Sequence, residues 1–242
     1  KFYEKYKHIV EYAAKNSGSV NHLPVQWEIR MSNICNSRCV ICWAGNSNQI
    51  YKEIKENINN PLLPPIQRDT YFYEQGKREK YKRLGPEFIQ KLWDNIKTIE
   101  WLELHGGEPY ADSGMVRLLA EISEKGFSKK IKIHTFSNVT LINQNHMDIL
   151  NNYKGGNFKA SIDAFGEELY YVRYPTKWNQ VLRGLDLLKN LHEGWRVSVK
   201  ITISLYNIYN IDNLLDYLSS NYTNFGIEFS CINSPKFMRP EL

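Results

Sequence analysis

Arg196-Val197-Ser198-Val199-Lys200-Ile201-Thr202-Ile203 alternates polar and apolar side chains without a break. A period of two places the apolar set on one face of a strand and the polar set on the other. Phe158, Ala160 and Ile162 alternate in the same way with Lys159, Ser161 and Asp163. Strands of a doubly wound sheet are covered on both faces and read as nearly continuous apolar runs. The alternation points instead to a sheet with one face on helices and the other lining a polar interior.

Working outward, the same reading marks strands at Val25 to Met31, Ile99 to Leu104, Ile131 to Phe136, Phe158 to Asp163, Val197 to Leu205 and Ile227 to Ile232. Helical periodicity falls between them. Pro86 opens a helix with Phe88, Leu92 and Ile96 on one face, and Asp112 or Ser113 caps another carrying Met115, Leu118, Leu119 and Ile122. Further helices are expected at Asn143 to Leu150, Thr176 to Leu191 and Asn210 to Ser219. Strands that alternate with helices imply a parallel sheet with right-handed crossovers. Six such units are too few for a closed eight-fold barrel, so the fold expected is α/β, a partial, three-quarter (β/α)6 TIM-like barrel.

With 242 residues, 42% of them hydrophobic, one barrel domain accounts for the length. The division expected is an N-terminal helical extension over 1–24, the barrel over 25–232 with an insertion at 44–85, and at 233–242 the start of a truncated C-terminal extension. A formal charge of +5 is too mild and dispersed to require a nucleic-acid partner, though it does not exclude one. No apolar run is long enough to cross a bilayer, and a cytoplasmic location is expected. The insertion carries Pro61, Pro64 and Pro65, several tyrosines and the basic run from Lys77 to Arg83. It reads as a lid or docking surface, or else as a solvated helix with a charged face.

Of four cysteines, three fall in Cys35-Asn36-Ser37-Arg38-Cys39-Val40-Ile41-Cys42, on the loop after the first strand, where a barrel places its chemistry. Clustered thiols suit a metal better than a disulfide framework. Three thiolates can hold three corners of an iron–sulfur cube and leave the fourth iron open, whereas a closed cluster or structural zinc needs a fourth protein ligand. Cys231 alternates with Ile227 and Phe229 and is expected to be buried and inert.

His105-Gly106-Gly107-Glu108-Pro109 follows the second strand. Its glycines let main chain approach a ligand closely, and Glu108 can accept from an ammonium. With the cysteine loop one unit earlier, the chain resembles the radical S-adenosylmethionine (radical SAM) superfamily across most of its length. The resemblance implies a [4Fe–4S] cluster on Cys35, Cys39 and Cys42. It also implies S-adenosylmethionine bound by Ile41, Trp43, Gly106, Gly107, Glu108, Pro109, Ser137, Asn138, Ser161, Asp163 and Arg173. Gly106 to Pro109 match the GGEP motif for the methionyl amino group, Ser161 would approach the ribose or carboxylate, and Arg173 would pair with the methionyl carboxylate. Ser137 and Asn138 can equally be a turn, and Arg173 a surface ion pair. Val139 and Ala164 stand where the family usually has glycine, and Ile41 replaces a common aromatic.

The implied chemistry is one-electron cleavage of S-adenosylmethionine to a 5′-deoxyadenosyl radical that abstracts hydrogen from a substrate. A reductant such as flavodoxin or ferredoxin would serve it. The Cys-Asn-x-Arg-Cys form is closest to the SPASM/twitch branch, which favours a peptide substrate. Substrate choice is expected from the polar interior positions Glu28, Arg30, Glu103, His134, Lys159, Lys200 and Glu228, each of which can also be a cross-barrel ion pair. The alternative function is a non-catalytic metal-binding module, iron–sulfur or zinc, that recognises a partner through the basic, tyrosine-rich insertion.

Overall fold

A computed structural model of the chain describes residues 2–20, 22–80, 84–232 and 238–240, with backbone alone over 2–3 and 76–80. In chain order the elements are α1 (Phe2–Lys15), β1 (Gln26–Arg30), β2 (Arg38–Cys39), α2 (Asn48–Glu56), α3 (Pro65–Lys80) and α4 (Pro86–Asn95). They continue with β3 (Trp101–His105), α5 (Ser113–Glu124), β4 (Lys132–Ser137), α6 (Gln144–Asn151), β5 (Gly156–Ser161) and α7 (Glu168–Val172). The last are β6 (Arg173–Tyr174), α8 (Trp178–Leu188), β7 (Trp195–Ile203), α9 (Ile211–Asn221) and β8 (Gly226–Cys231).

Six strands form one sheet in the order β1-β3-β4-β5-β7-β8, every pair parallel. Their order in space is their order in the chain, so the sheet never reverses direction as a doubly wound one does. This is the partial barrel that the alternation implied. Ile29, Leu102, Leu104, Ile133, Phe158, Ala160, Val199 and Ile201 are buried on the outer face, in one core with Leu92, Met115, Leu119, Leu150, Leu185 and Leu214 of the helices. Burying each large aliphatic side chain contributes roughly 1.5–3 kcal/mol. The helices begin where local chemistry dictates: Asp112 Oδ1 accepts from Gly114 N at 2.9 Å, Asn143 Oδ1 from His146 N at 3.1 Å, and Pro86 follows Gly85.

The inner face carries the polar alternates. Register aligns Glu28 with Glu103 and Glu103 with His134, and further along Ser161 with Lys200 and Lys200 with Glu228. These positions are tied together. Gln26 Nε2 donates to Glu103 at 3.0 Å, His105 Nε2 lies 3.1 Å from Glu103, and Lys159 Nζ reaches Glu228 at 2.6 Å, with Ser198 Oγ on the other oxygen at 2.8 Å.

Two expectations change. Cys231 is exposed, together with Phe229 (49%) and Ile227 (38%), because β8 is the sheet's edge and its outer face is left open among the described residues. β5 starts at Gly156 rather than Phe158. A side chain at Gly156 would stand 1.8 Å from Ile133 O, so only glycine allows the strands to meet there. The insertion contains two helices, and Ala44, Ile50, Ile54 and Tyr71 form a small core of their own in contact with Cys42. Side chains of the Lys77–Arg83 run, and most of 233–242, lie outside the described residues.

Candidate functional site

The cysteine loop leaves the C-terminal end of β1 and is fastened residue by residue. Cys35 N donates to Asn48 Oδ1 at 2.9 Å, Ser47 Oγ donates to Ser37 O at 2.8 Å, and Ser32 Oγ donates to Asp112. Asn138 Nδ2 donates to Asn36 Oδ1 at 2.8 Å, and Asn36 Nδ2 to Thr140 Oγ1 at 2.8 Å. The far end of the loop forms a two-residue antiparallel pair with β6, in which Cys39 faces Arg173 and Val40 N donates to Val172 O at 2.9 Å.

Gly106 and Gly107 have a use that the sequence reading did not foresee. A side chain at Gly107 would lie 2.2 Å from Ile34 O, and one at Gly106 2.6 Å from Ser32 O. The neighbour that needs closeness is the cysteine loop itself, to which Glu108 N donates at Ile34 O across 2.8 Å. Glu108 is buried (2% exposed) and accepts from Ser137 Oγ at 2.8 Å, Asn138 N at 2.6 Å and Tyr110 N at 3.3 Å. Burial pushes its carboxyl up to about 7 against the pull of those donors. Pro109 is buried and opens a single 3-10 turn.

Beyond Asn138 the chain turns through Val139 at φ +58, where a branched side chain is strained. The left-handed backbone that glycine usually serves is kept, and the valine is held by full burial and by Ser137 Oγ, which accepts from its N–H at 2.9 Å.

Asp163 is wholly buried. Its Oδ1 accepts from Thr202 N at 2.7 Å, and its Oδ2 binds Arg173 Nε at 2.7 Å and Nη2 at 2.6 Å. Arg173 Nη1 is left facing Cys39 Sγ at 3.8 Å. Asp163 and the thiols hold the guanidinium's pKa above its ordinary value although burial opposes them. Ser161 lies on the inner face, half-buried. Ile41 and Trp43 line a hollow of about 310 Å³ with Ile66, Gln67 and Thr70 of α3.

The donor set suits an iron–sulfur cube. Burial pushes the thiols of Cys35 and Cys42 up to about 11 and about 12, and raises Cys39, while the neighbouring thiols add to the effect in Cys35 and Cys42. Such thiolates are costly alone, and bound iron would offset that cost. Among the described residues no three His, Cys, Asp or Glu side chains gather as ligands of a lone ion. A cube makes no such demand, since each cysteine binds its own iron.

The description of the radical SAM superfamily matches residues 29–219, which span the cysteine loop, both glycines, Glu108, Asp163 and Arg173.

The chain belongs to the radical SAM superfamily.

Membership brings that family's two cofactors, a [4Fe–4S] cluster and S-adenosylmethionine. Solved structures share its fold. Streptococcus suis SuiB bound to S-adenosylmethionine superposes with a TM-score of 0.56 at 15% identity, over 96% of this chain and 44% of that one. SuiB bound to the precursor peptide SuiA gives 0.58 at 13%, over 98% and 46%. Native anSMEcpe with bound AdoMet and Cp18Cys peptide gives 0.59 at 16%, over 90% and 55%. The chain thus spans about half the length of these proteins. No protein of curated function matches its sequence. No helix among the described residues is long and apolar enough to cross a membrane.

Sequence reasoning missed the residues that fasten the loop. Asn36 lies inside the motif, where the cysteine spacing gives no sign that its side chain bonds Asn138 and Thr140. Ser47, Asn48 and Thr140 are ordinary loop polars whose role depends on what the fold places opposite them.

Proposed function

We propose that this chain is the catalytic core of an enzyme that reductively cleaves S-adenosylmethionine and takes hydrogen from a peptide. The observation that carries the reading is the three-thiol loop held against Arg173 in a chain of the radical SAM family. When bound, the cluster and S-adenosylmethionine supply a 5′-deoxyadenosyl radical, an oxidant that no side chain can furnish.

The protein's own residues bind, orient and shield. Cys35, Cys39 and Cys42 hold three irons. Glu108, neutralised in part by burial, gains its full charge when an ammonium meets it. Arg173, fixed by Asp163, places a positive charge beside the cysteine loop, suited to a carboxylate. Ile41, Trp43, Gly106, Gly107, Pro109, Ser137, Asn138 and Ser161 complete the cofactor site. The inner-face polar groups, centred on Lys159, Glu228 and Lys200, select the substrate. A peptide is supported by the complexes of SuiB with SuiA and of anSMEcpe with Cp18Cys, proteins of the same fold.

Anaerobic reconstitution followed by dithionite and S-adenosylmethionine should release 5′-deoxyadenosine. Zinc in place of iron, with no nucleoside formed, would refute the enzyme. A short precursor peptide encoded beside this gene should lose hydrogen on incubation. An unchanged mass alongside continued cofactor cleavage would refute the peptide alone.

A further inference from the structure

From mid-strand to the C-terminal ends of the sheet, where the cysteine loop lies, the charges of the polar interior are answered by neighbours with one exception among the described residues. On the side of β1 and β3, Arg30 Nη2 lies 3.7 Å from Glu28, and Glu103 is met by His105 Nε2 at 3.1 Å and Gln26 Nε2 at 3.0 Å. On the side of β5, β7 and β8, Glu228 faces two lysines and is engaged by one of them. Its Oε2 binds Lys159 Nζ at 2.6 Å, and its Oε1 accepts from Ser198 Oγ at 2.8 Å. Lys200 is level with Glu228 in the register, yet it forms no ion pair among the described residues; its ammonium donates to the main-chain oxygen of Phe229 at 3.4 Å. Arg196 stands exposed at the opposite end of β7.

We propose that Lys200 is a specificity determinant that receives the carboxylate of an acidic residue in the substrate peptide, a role that rests on the peptide reading above and names the residue class such a peptide must carry.

Three observations favour this ligand. Two ammoniums against one carboxylate leave this wall with a positive charge in excess, which a group bearing a single negative charge completes. Hydroxyls stand around the ammonium: Ser161 is level with Lys200 on β5, and one step nearer the C-terminal ends Thr202 Oγ1 lies 3.5 Å from Ser230 Oγ of β8. Rotatable hydroxyl donors beside a lysine suit a carboxylate, whereas a phosphate dianion is better served by a guanidinium fork, which this part of the wall lacks among the described residues. Placement decides where the carboxylate comes from. Arg173, fixed by Asp163, already serves the methionyl carboxylate in the proposed site, so Lys200 faces the other ligand of the interior, the substrate.

The test passes short, end-blocked random peptides over the immobilised, cluster-loaded chain with S-adenosylmethionine present, and reads the composition of the retained fraction by mass spectrometry. The parent should enrich peptides containing Asp or Glu over their Asn and Gln counterparts about tenfold, the contribution of one charge-assisted hydrogen bond at a half-buried position. Lys200→Glu should abolish that enrichment and favour peptides containing Lys or Arg. Lys154→Glu alters an exposed lysine just before β5, at the opposite end of the sheet, and makes the same change of net charge; it should keep the parent's preference. Equal retention of acidic and amide peptides by the parent overturns the proposal. So does a loss of enrichment as large in Lys154→Glu as in Lys200→Glu, or a Lys200→Glu chain that loses S-adenosylmethionine binding with its peptide preference unchanged. A parent that retains no peptide of any composition removes the peptide reading itself, and this role of Lys200 with it.

Discussion

Replacing Arg173 with methionine should lower the melting temperature of the cluster-free chain more than any surface substitution could. Arg173 is 9% exposed and Asp163 fully buried, and two guanidinium nitrogens share one carboxylate oxygen at 2.6 and 2.7 Å. Removing the cation leaves a buried carboxylate with Thr202 N as its remaining donor. Breaking such a pair from one side costs about 3–5 kcal/mol. For a chain of this size each kcal/mol moves the midpoint by roughly 2–4 °C, so a fall of about 6–20 °C is expected in thermal denaturation followed by circular dichroism. The double variant Arg173→Met with Asp163→Leu should recover much of the loss, because no charge is then buried alone. A midpoint within a degree of the parent for Arg173→Met, or a double variant worse than the sum of the singles, would refute the reasoning. It would show that Asp163 is not the counter-charge that holds Arg173 against Cys39.

Four further outcomes are expected. Gly107→Ala drives a methyl to 2.2 Å from Ile34 O, so it should displace the cysteine loop and cut iron uptake on reconstitution; normal iron content would contradict the close approach. Glu108 has a folded pKa of about 7, above the ordinary 4.5. The folded cluster-free chain therefore holds its proton over that interval, and the stability so gained is full below 4.5 and lost as pH rises through about 7. Glu108→Gln should flatten the stability profile over that interval, and an unaltered slope would count against the burial argument. Lys200→Ala and Glu228→Ala should reduce substrate turnover while sparing uncoupled cleavage of S-adenosylmethionine, whereas an equal loss of both would remove these residues from substrate selection. Cys42→Ala should lose the brown cluster chromophore and exposed Cys231→Ser should keep it; the reverse pattern would break the three-ligand assignment.

Period-two alternation and cysteine spacing were local signals, and each determined something by itself. The alternation of β5 and β7 forces one wet face and one dry face whatever the neighbours are, which is why the open parallel barrel and its polar interior are legible in the sequence. C-x3-C-x2-C places three thiols on one short loop by covalent distance alone. What the sequence could not determine depended on which elements meet. Arg173 and Cys39 lie 134 residues apart and become partners only because β2 and β6 pair. Gly106 and Gly107 signal close approach, yet only the packed loop shows that the approaching group is Ile34 and Ser32 main chain. Cys231 obeys the pattern of a buried face and is nonetheless exposed, since alternation reports which side chains share a face and says nothing about whether another layer covers it.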